Sequence, residues 1–254
     1  MTVPFENDTG NIVRKLARKS LKSEKRRNLM VVIAVALASC LICFSIVMAL
    51  STRQIEKNHV EDTYEAVYTR ITEEDVSTLK GLDDFSRVGE YYMLAVEPAE
   101  QGYNASYIYC DDETMYIARD QMRLLEGRLP QKEDEVVVSR YFLSNYGADA
   151  GIGEKVMLSS ESFHGEYTVT GIMEGYKEKE VNGTSILLSK EALKGWSGYD
   201  PADYRAYVHF KNEQQMDETE LTARSREIAK EYQLEMPVMN LSYMKFYKQP
   251  VNVS

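Results

Sequence analysis

Few residues of this 254-residue chain have the types and spacing that catalysis or metal binding requires. The three histidines, His59, His164 and His209, lie far apart in the sequence and show no metal-ligand spacing around them. Cys40 and Cys43 have C-x-x-C spacing, but they lie within an apolar run, where we interpret them as small packing residues. A catalytic triad assembled by the tertiary fold stays an open alternative.

The motifs of the common enzyme classes are absent from the sequence. It contains no G-x-x-x-x-G-K-[ST], H-E-x-x-H or G-x-S-x-G motif, and Gly151-Ile152-Gly153 lacks the third glycine of a dinucleotide-binding loop. The acidic run Asp111-Asp112-Glu113 lacks the spaced acids and central glycine of a calcium loop, so we interpret it as a solvated hairpin turn. We therefore predict that the chain is not an enzyme and has no catalytic, cofactor-binding or metal-binding residues.

Tyrosine is the most abundant aromatic residue, and all eighteen tyrosines follow residue 50. One interpretation is an aromatic surface for a partner or ligand. The other, which we favour, is that tyrosine suits half-exposed positions of a β-sheet. The sequence assigns no ligand-binding residue.

The residues with the clearest physical role are basic and lie near the N-terminus. Apolar Ile12, Val13 and Leu16 recur at helical spacing with basic residues between them, which predicts an amphipathic helix on the inner leaflet of a membrane. The alternative is a basic stop-transfer flank without a surface helix. We predict that seven residues contact the membrane interface and its anionic lipid: Arg14, Lys15, Arg18, Lys19, Lys22, Arg26 and Arg27.

These basic residues precede an uncharged apolar run, Leu29 to Leu50. A helix of that length extends ~33 Å, enough to cross a hydrocarbon core of ~30 Å. The basic flank predicts a cytoplasmic N-terminus and an extracytoplasmic position for the residues after 51 in a cell membrane. A cleaved signal peptide is the alternative, but its apolar region is usually shorter and ends at a clearer A-x-A site.

Charge and cysteine content restrict the partners and the compartment. The chain has a formal charge of −10, of which the first 27 residues contribute +5 and the rest −15. An acidic exterior argues against binding to nucleic acid. Because Cys110 is the single cysteine after the apolar run, an intrachain disulfide outside the membrane is excluded, and the exterior must be stabilised by its own core.

Beyond the membrane, the pattern predicts an α+β fold with two β-α-β sections on either side of a β-rich section. We predict helices at Arg53–Asp62, from an N-cap at Thr72 to Gly81, and at Arg140–Tyr146, Lys190–Trp196 and Asp217–Tyr232. The predicted strands are Tyr64–Ile71, Ser86–Val96 with Val88, Tyr92, Leu94 and Val96 on one face, Ala105–Cys110, Met115–Ala118, Glu135–Ser139, Lys155–Leu158, Tyr167–Met173, Ser185–Leu188, Tyr204–Phe210 and Pro237–Leu241.

This order suits a split β-α-β, ferredoxin-like layer that contains an inserted β-rich subdomain. The predicted organisation is a cytoplasmic basic segment (1–28), a transmembrane helix (29–50), a stalk (51–63), the first part of an α+β subdomain (64–120), the inserted subdomain (121–198) and the second part of the α+β subdomain (199–254).

Several stretches, in this order, resemble one known family. They are the basic segment Asn11 to Leu29, then Glu126-Gly127-Arg128-Leu129-Pro130, Glu135 to Ser139, Gly153 to Val156 and Tyr167 to Ile172. Together they look like the N-terminal half of a MacB/FtsX-type ABC-transporter permease with a MacB-like extracytoplasmic core domain. We expect a Gram-positive bacterial source.

The resemblance implies a permease that pairs with a second permease subunit and with a cytoplasmic ATP-binding cassette subunit. ATP hydrolysis in that partner would drive export or mechanical work outside the membrane. Family members have further spans after this domain, so we expect the chain to be an N-terminal fragment or a truncated reading frame. The alternative is a single-pass anchored protein whose exterior binds or senses a ligand.

Overall fold

The computed structural model describes residues 9–23, 25–147, 150–175 and 178–248. The chain divides into two compact units, Met1–Glu56 and Lys57–Ser254. The first unit contains helix α1 (Thr9–Ser23) and most of helix α2 (Lys25–His59). The predicted helix Arg53–Asp62 is therefore the last part of α2, which ends at His59.

The second unit consists mainly of strands with short helices between them. Its strands are β1 (Ala66–Ile71), β2 (Phe85–Pro98), β3 (Asn104–Cys110), β4 (Met122–Gly127), β5 (Glu135–Ser139), β6 (Lys155–Ser159), β7 (His164–Gly175), β8 (Gly183–Leu188), β9 (Tyr204–Phe210) and β10 (Val238–Met239). Its helices are α3 (Glu73–Lys80), α4 (Asp112–Ile117), α5 (Arg140–Asn145), α6 (Glu178–Val181), α7 (Lys190–Gly195), α8 (Glu218–Glu231) and α9 (Leu241–Tyr243), with a 3₁₀ turn at Glu213–Gln215 and a π turn at Met244–Lys248.

The described strands form one mixed sheet in the order β10-β1-β9-β2-β3-β8-β5-β7-β4, with β6 paired to β7. β1-α3-β2 and β9-α8-β10 are two β-α-β units, and β9 lies between β1 and β2 with antiparallel pairing on both sides. This arrangement is the predicted split β-α-β layer. The parallel pair β3–β8 connects it to the strands of the middle section.

Alternate residues along the central strands pack on opposite faces of the sheet, as the two-residue period of a strand requires. In β5, Val136 and Val138 belong to one hydrophobic cluster and Val137 to the other. Helices α3, α5, α7 and α8 bury residues in the first cluster, whereas α4 covers the second. The core is rich in aromatic residues, and Tyr68, Tyr92, Tyr103, Tyr107 and Tyr204 are among its largest fully buried side chains.

The two longest helices of this unit, α3 and α8, begin with the N-terminal caps that the sequence predicts. The Thr72 hydroxyl accepts from the Asp75 amide at 3.1 Å and the Asp75 carboxylate accepts from the Thr72 amide at 2.8 Å. Asp217 and Glu220 form the equivalent reciprocal pair at the start of α8. Both capping boxes satisfy amides that would otherwise lack a partner.

Three local predictions are wrong. Asp111-Asp112-Glu113 is not a hairpin turn and Met115–Ala118 is not a strand, because Asp111 accepts from the Thr114 amide at 2.9 Å and begins helix α4. Val96 does not share the buried face of Val88, Tyr92 and Leu94 but is 60% exposed, because the register of β2 against β3 shifts between Met93 and Ala95. A shift of one residue moves every following side chain to the other face of a sheet.

The predicted fold class is confirmed: an N-terminal apolar helix precedes an α+β domain with a mixed sheet. The strands of the middle section lie in the same sheet as those of the outer sections. The subdomain limits at residues 120 and 198 stay predictions.

Candidate functional sites

Helix α1 carries four of the predicted membrane-interface residues, Arg14, Lys15, Arg18 and Lys19, and all four are exposed. The apolar Ile12, Val13 and Leu16 are 59, 61 and 63% exposed. Helical spacing places these three on one side of α1 and Arg14 and Arg18 on the other, with Lys15 and Lys19 at the border between them. Arg26 and Arg27 are exposed in the first turn of α2, and the Lys22 side chain lies outside the described residues. Their contact with lipid stays a prediction.

Helix α2 is, among the described residues, the one helix long and apolar enough to cross a membrane. None of its described residues is buried. Two of its hydroxyl groups are satisfied within the helix, since Ser45 donates to the Leu41 carbonyl at 2.8 Å and Thr52 to the Met48 carbonyl at 2.9 Å. A helix whose polar groups are satisfied internally suits a hydrocarbon environment.

The last turn of α2 is held by the domain that follows. The His59 Nε2 atom lies 2.8 Å from the Asp120 carbonyl oxygen, and the Lys57 ammonium lies 5.1 Å from the centre of the Tyr247 ring. Val60, directly after the helix, is 4% exposed. Residues 57 to 60 therefore belong to the second unit, and its buried core begins at Val60.

A buried ion pair lies close behind this junction in the sequence. Glu65 is fully buried, and its Oε1 atom lies 2.7 Å from His209 Nδ1. Its Oε2 atom accepts from the Phe210 amide at 2.8 Å. The pair connects the residue before β1 to the end of β9, so it fixes how the chain enters the sheet. A buried carboxylate requires such partners.

The same region holds the last described residues of the chain. The Asn240 side chain donates to the Tyr64 carbonyl at 3.0 Å, and its amide donates to the Glu65 carbonyl at 2.8 Å. Glu213 Oε2 accepts from the Tyr243 hydroxyl at 2.7 Å and from the Lys248 ammonium at 2.9 Å. The first and last parts of the domain are thus joined by buried polar contacts, which we call the Glu65–His209 network.

Burial and charge shift the pKa values in this network. Burial raises the pKa of Glu65, and its contacts with His209 oppose that shift only in part. Burial lowers the pKa of His209, but the hydrogen bond and charge of Glu65 outweigh burial, so the pKa of His209 is raised. The pair thus holds a proton more tightly than its separate groups would.

The stretch Glu126 to Pro130, one of those on which the resemblance rests, has a structural role. Gly127 has φ +83°, and a Cβ atom there would lie 2.2 Å from the Thr170 carbonyl oxygen. Arg128 donates two hydrogen bonds to Glu135, at 2.8 and 2.7 Å, and Glu135 also accepts from the Gln131 amide at 2.9 Å. These bonds, led by that from Arg128, lower the pKa of Glu135 to about 2. The motif folds the β4–β5 connection tightly against β7.

The histidines and the extracytoplasmic cysteine do not lie together in the structure. His164 is exposed at the start of β7, while His59 and His209 belong to the separate contacts described above. Cys110 is buried in the second cluster, and burial raises the pKa of its thiol. Within residues 9–23, 25–147, 150–175 and 178–248, no group of three or more His, Cys, Asp or Glu side chains could hold a metal ion.

Sequence reasoning predicted the membrane-interface residues, which stay a prediction, but missed the Glu65–His209 network. One signal was present: Glu65 is a charged residue within the apolar stretch predicted as the first strand, where a buried carboxylate would require a partner. The identity of that partner, 144 residues away, has no local signal.

Comparison with known proteins gives one family and several structural relatives. The profile of the MacB-like periplasmic core domain family matches residues 29–226. Similar solved structures include the extracellular domain of the ABC-type transporter YknZ from Gram-positive bacteria (15% identity, 68% of this chain and 97% of that chain, TM-score 0.48). The periplasmic region of MacB from Actinobacillus actinomycetemcomitans is another (11% identity, 73% and 91%, TM-score 0.47).

A third is a domain from Porphyromonas gingivalis described as part of a permease protein (15% identity, 74% of this chain and 98% of that chain, TM-score 0.45). The search of curated proteins found no match for this chain.

Proposed function

The chain belongs to the MacB-like periplasmic core domain family, and from this premise we propose that it is the membrane-anchored, extracytoplasmic part of an ABC-transporter permease. Its N-terminal segment lies in the cytoplasm, α2 crosses the cell membrane, and the domain after residue 51 lies outside. The basic residues before the apolar run and their scarcity after it support this orientation.

The observation that carries the proposal is the way α2 ends. The helix runs without a break from Lys25 to His59, and its last turn is held by Asp120 and Tyr247 of the domain. A continuous helix with a fixed end transmits a displacement to whatever it is packed against. The Glu65–His209 network then passes that displacement into β1 and β9 at the centre of the split β-α-β layer.

The energy for such a displacement comes from outside this chain. The sequence has no nucleotide-binding motif, so the ATP is hydrolysed by a cytoplasmic ATP-binding cassette subunit, with a second permease subunit beside it. The coupled work is export or mechanical action outside the membrane. The chain itself acts as a transmitter and not as an enzyme.

Co-purification tests this assignment. The protein, expressed as its gene encodes it together with the ATP-binding cassette subunit of the same genome, is expected to retain that subunit in mild detergent. An unrelated single-pass membrane protein with the same affinity tag serves as the control. Recovery of the ATPase with neither protein, or equally with both, contradicts the proposal and favours an anchored binding or sensor domain.

A further inference from the structure

The domain contains a polar cleft that the transmitter function does not use. Its volume is about 650 Å³, and it lies where the last residue of α2, the segment after α4, β4 and the end of β7 meet. The charged and polar side chains that line it include His59, Arg119, Asp120, Gln121, Arg123 and Glu174.

The two arginines of the cleft, Arg119 and Arg123, have more N–H donors than their contacts use. Arg123 donates to Glu174 at 2.8 Å in a pair whose side chains are 60 and 59% exposed. Arg119 donates to the Glu61 carbonyl and lies 3.4 Å from Asp62. Each guanidinium carries five N–H groups in a planar fork, so both can also bind an acid group, and phosphate fits that fork well.

Asp120, in contrast to the two arginines, needs a hydrogen-bond donor from a ligand. Among the described residues, its Oδ1 atom is buried without a hydrogen-bond partner, although the residue lines the cleft. A buried carboxylate oxygen without a donor is costly, and an N–H donor from a ligand would relieve that cost. Burial also raises the pKa of Asp120 to about 6, although backbone amides of Asp120 and Gln121 oppose that shift in part.

The balance of charge selects the class of ligand. A simple anion would meet Asp120, Glu174 and the formal charge of −15 that follows the first 27 residues, whereas a simple cation would meet Arg119 and Arg123. A neutral zwitterion satisfies both signs at once. We infer that this cleft binds a zwitterionic group in which a phosphate and a primary ammonium lie a few bonds apart, as in phosphoethanolamine.

Such a group has two sources, the headgroup of a membrane lipid or a soluble molecule. Eight residues of α2 lead from Leu50, the end of the apolar run, to Asn58 at the cleft. A helical segment of that length rises about 12 Å, whereas the headgroup layer on one side of a bilayer is roughly 5–8 Å deep. The chain length therefore favours neither source, and the experiment separates the two.

The first measurement is calorimetric titration of the full chain, in neutral detergent, with glycerophosphoethanolamine. Glycerophosphocholine keeps both charges but has no N–H donor, so it is expected to bind at least about tenfold more weakly, the effect of one lost hydrogen bond to a charged group. Inorganic phosphate lacks the ammonium and ethanolamine lacks the phosphate. Each is therefore also expected to bind at least about tenfold more weakly.

Variants assign the two halves of the site. Arg123→Gln removes the guanidinium charge that pairs with the phosphate, and Asp120→Asn removes the carboxylate charge that pairs with the ammonium. Each is expected to weaken binding about tenfold. Arg70→Gln is the matched control, because Arg70 forms a similar exposed pair with Glu235 outside the cleft. Unfolding midpoints measured in parallel separate lost binding from lost folding. Equal loss in Arg70→Gln and Arg123→Gln overturns the inference.

Lipid bilayers then identify the source. In nanodiscs that contain phosphatidylethanolamine and phosphatidylcholine in equal amounts, native mass spectrometry is expected to show retention of the ethanolamine lipid by the wild type and its loss in Arg123→Gln. Binding of the soluble compound without lipid preference supports a soluble zwitterion. No preference for ethanolamine over choline in either experiment contradicts the inference.

Discussion

At the scale of single residues, Glu65 gives the domain a dependence on pH. The raised pKa of His209 means that the folded state binds its proton more tightly than the unfolded chain does. That contribution to stability is fully present below about pH 6.5, the ordinary value for histidine, and is lost as the pH rises through the folded pKa of His209. The raised pKa of Glu65 acts in the same direction.

Replacement of Glu65 should remove this dependence. Glu65→Gln keeps the shape of the side chain but removes the charge that raises the pKa of His209, so we expect a loss of about 2 kcal/mol at pH 6 that shrinks towards pH 9. Urea denaturation at a series of pH values measures it. Glu166→Gln, which changes an exposed pair with Lys155, is the control and should show little loss at any pH. A Glu65→Gln deficit that is constant from pH 6 to 9 would show that the pair is not linked to protonation.

Gly127 is required for two separable reasons, its positive φ and the space around it. Gly102 has nearly the same φ, +85°, but nothing lies within 4 Å of a Cβ atom there, whereas Gly127 meets the Thr170 carbonyl. Gly102→Ala should cost only the backbone strain, about 1 kcal/mol. Gly127→Ala should cost about 1–3 kcal/mol more, because the β4–β7 contact must move. Equal losses in thermal unfolding would show that the close approach has no energetic role.

At the scale of elements, helix α1 should respond to the charge of the lipid. In nanodiscs with anionic lipid, its amides should exchange hydrogen more slowly than in phosphatidylcholine alone. Combined Arg14→Gln, Lys15→Gln, Arg18→Gln and Lys19→Gln changes should abolish that difference, since each basic residue near the surface contributes about 1 kcal/mol. Arg226→Gln with Lys230→Gln, on exposed positions of α8, should leave it unchanged. Slow exchange that ignores lipid charge would favour the stop-transfer interpretation.

Most elements were predictable because their signals are local. The N-caps Thr72 and Asp217 mark the starts of α3 and α8, and alternating apolar residues mark the strands. Helix α4 was missed although it begins with the same chemistry, an Asp111 cap followed by acids in the first turn. The exposed Val96 was missed because an irregularity in strand pairing depends on the neighbouring strand, which the sequence of β2 does not specify.

At the scale of the whole molecule, the apolar helix and the split β-α-β layer could be predicted, whereas the strand pairing that joins the middle section to that layer could not. The apolar run and its flanks depend on length and composition alone, so they are visible in the sequence. The pairing of β3 with β8 and the contact of Glu65 with His209 join residues far apart in the chain. Such contacts follow from how all the elements pack together, and for that reason the polar network and the cleft emerged only from the structure.

The account depends on which side of the membrane each part occupies, and cysteine labelling measures this directly. With Cys40 and Cys43 replaced by serine, Lys19→Cys on α1 and Asn212→Cys after β9 place single exposed thiols on either side of α2, while Cys110 stays buried. In intact cells a membrane-impermeant maleimide should label the cysteine at 212, and it should label the cysteine at 19 only after permeabilisation. Labelling of position 19 from outside, or protection of position 212, would contradict an extracytoplasmic permease domain.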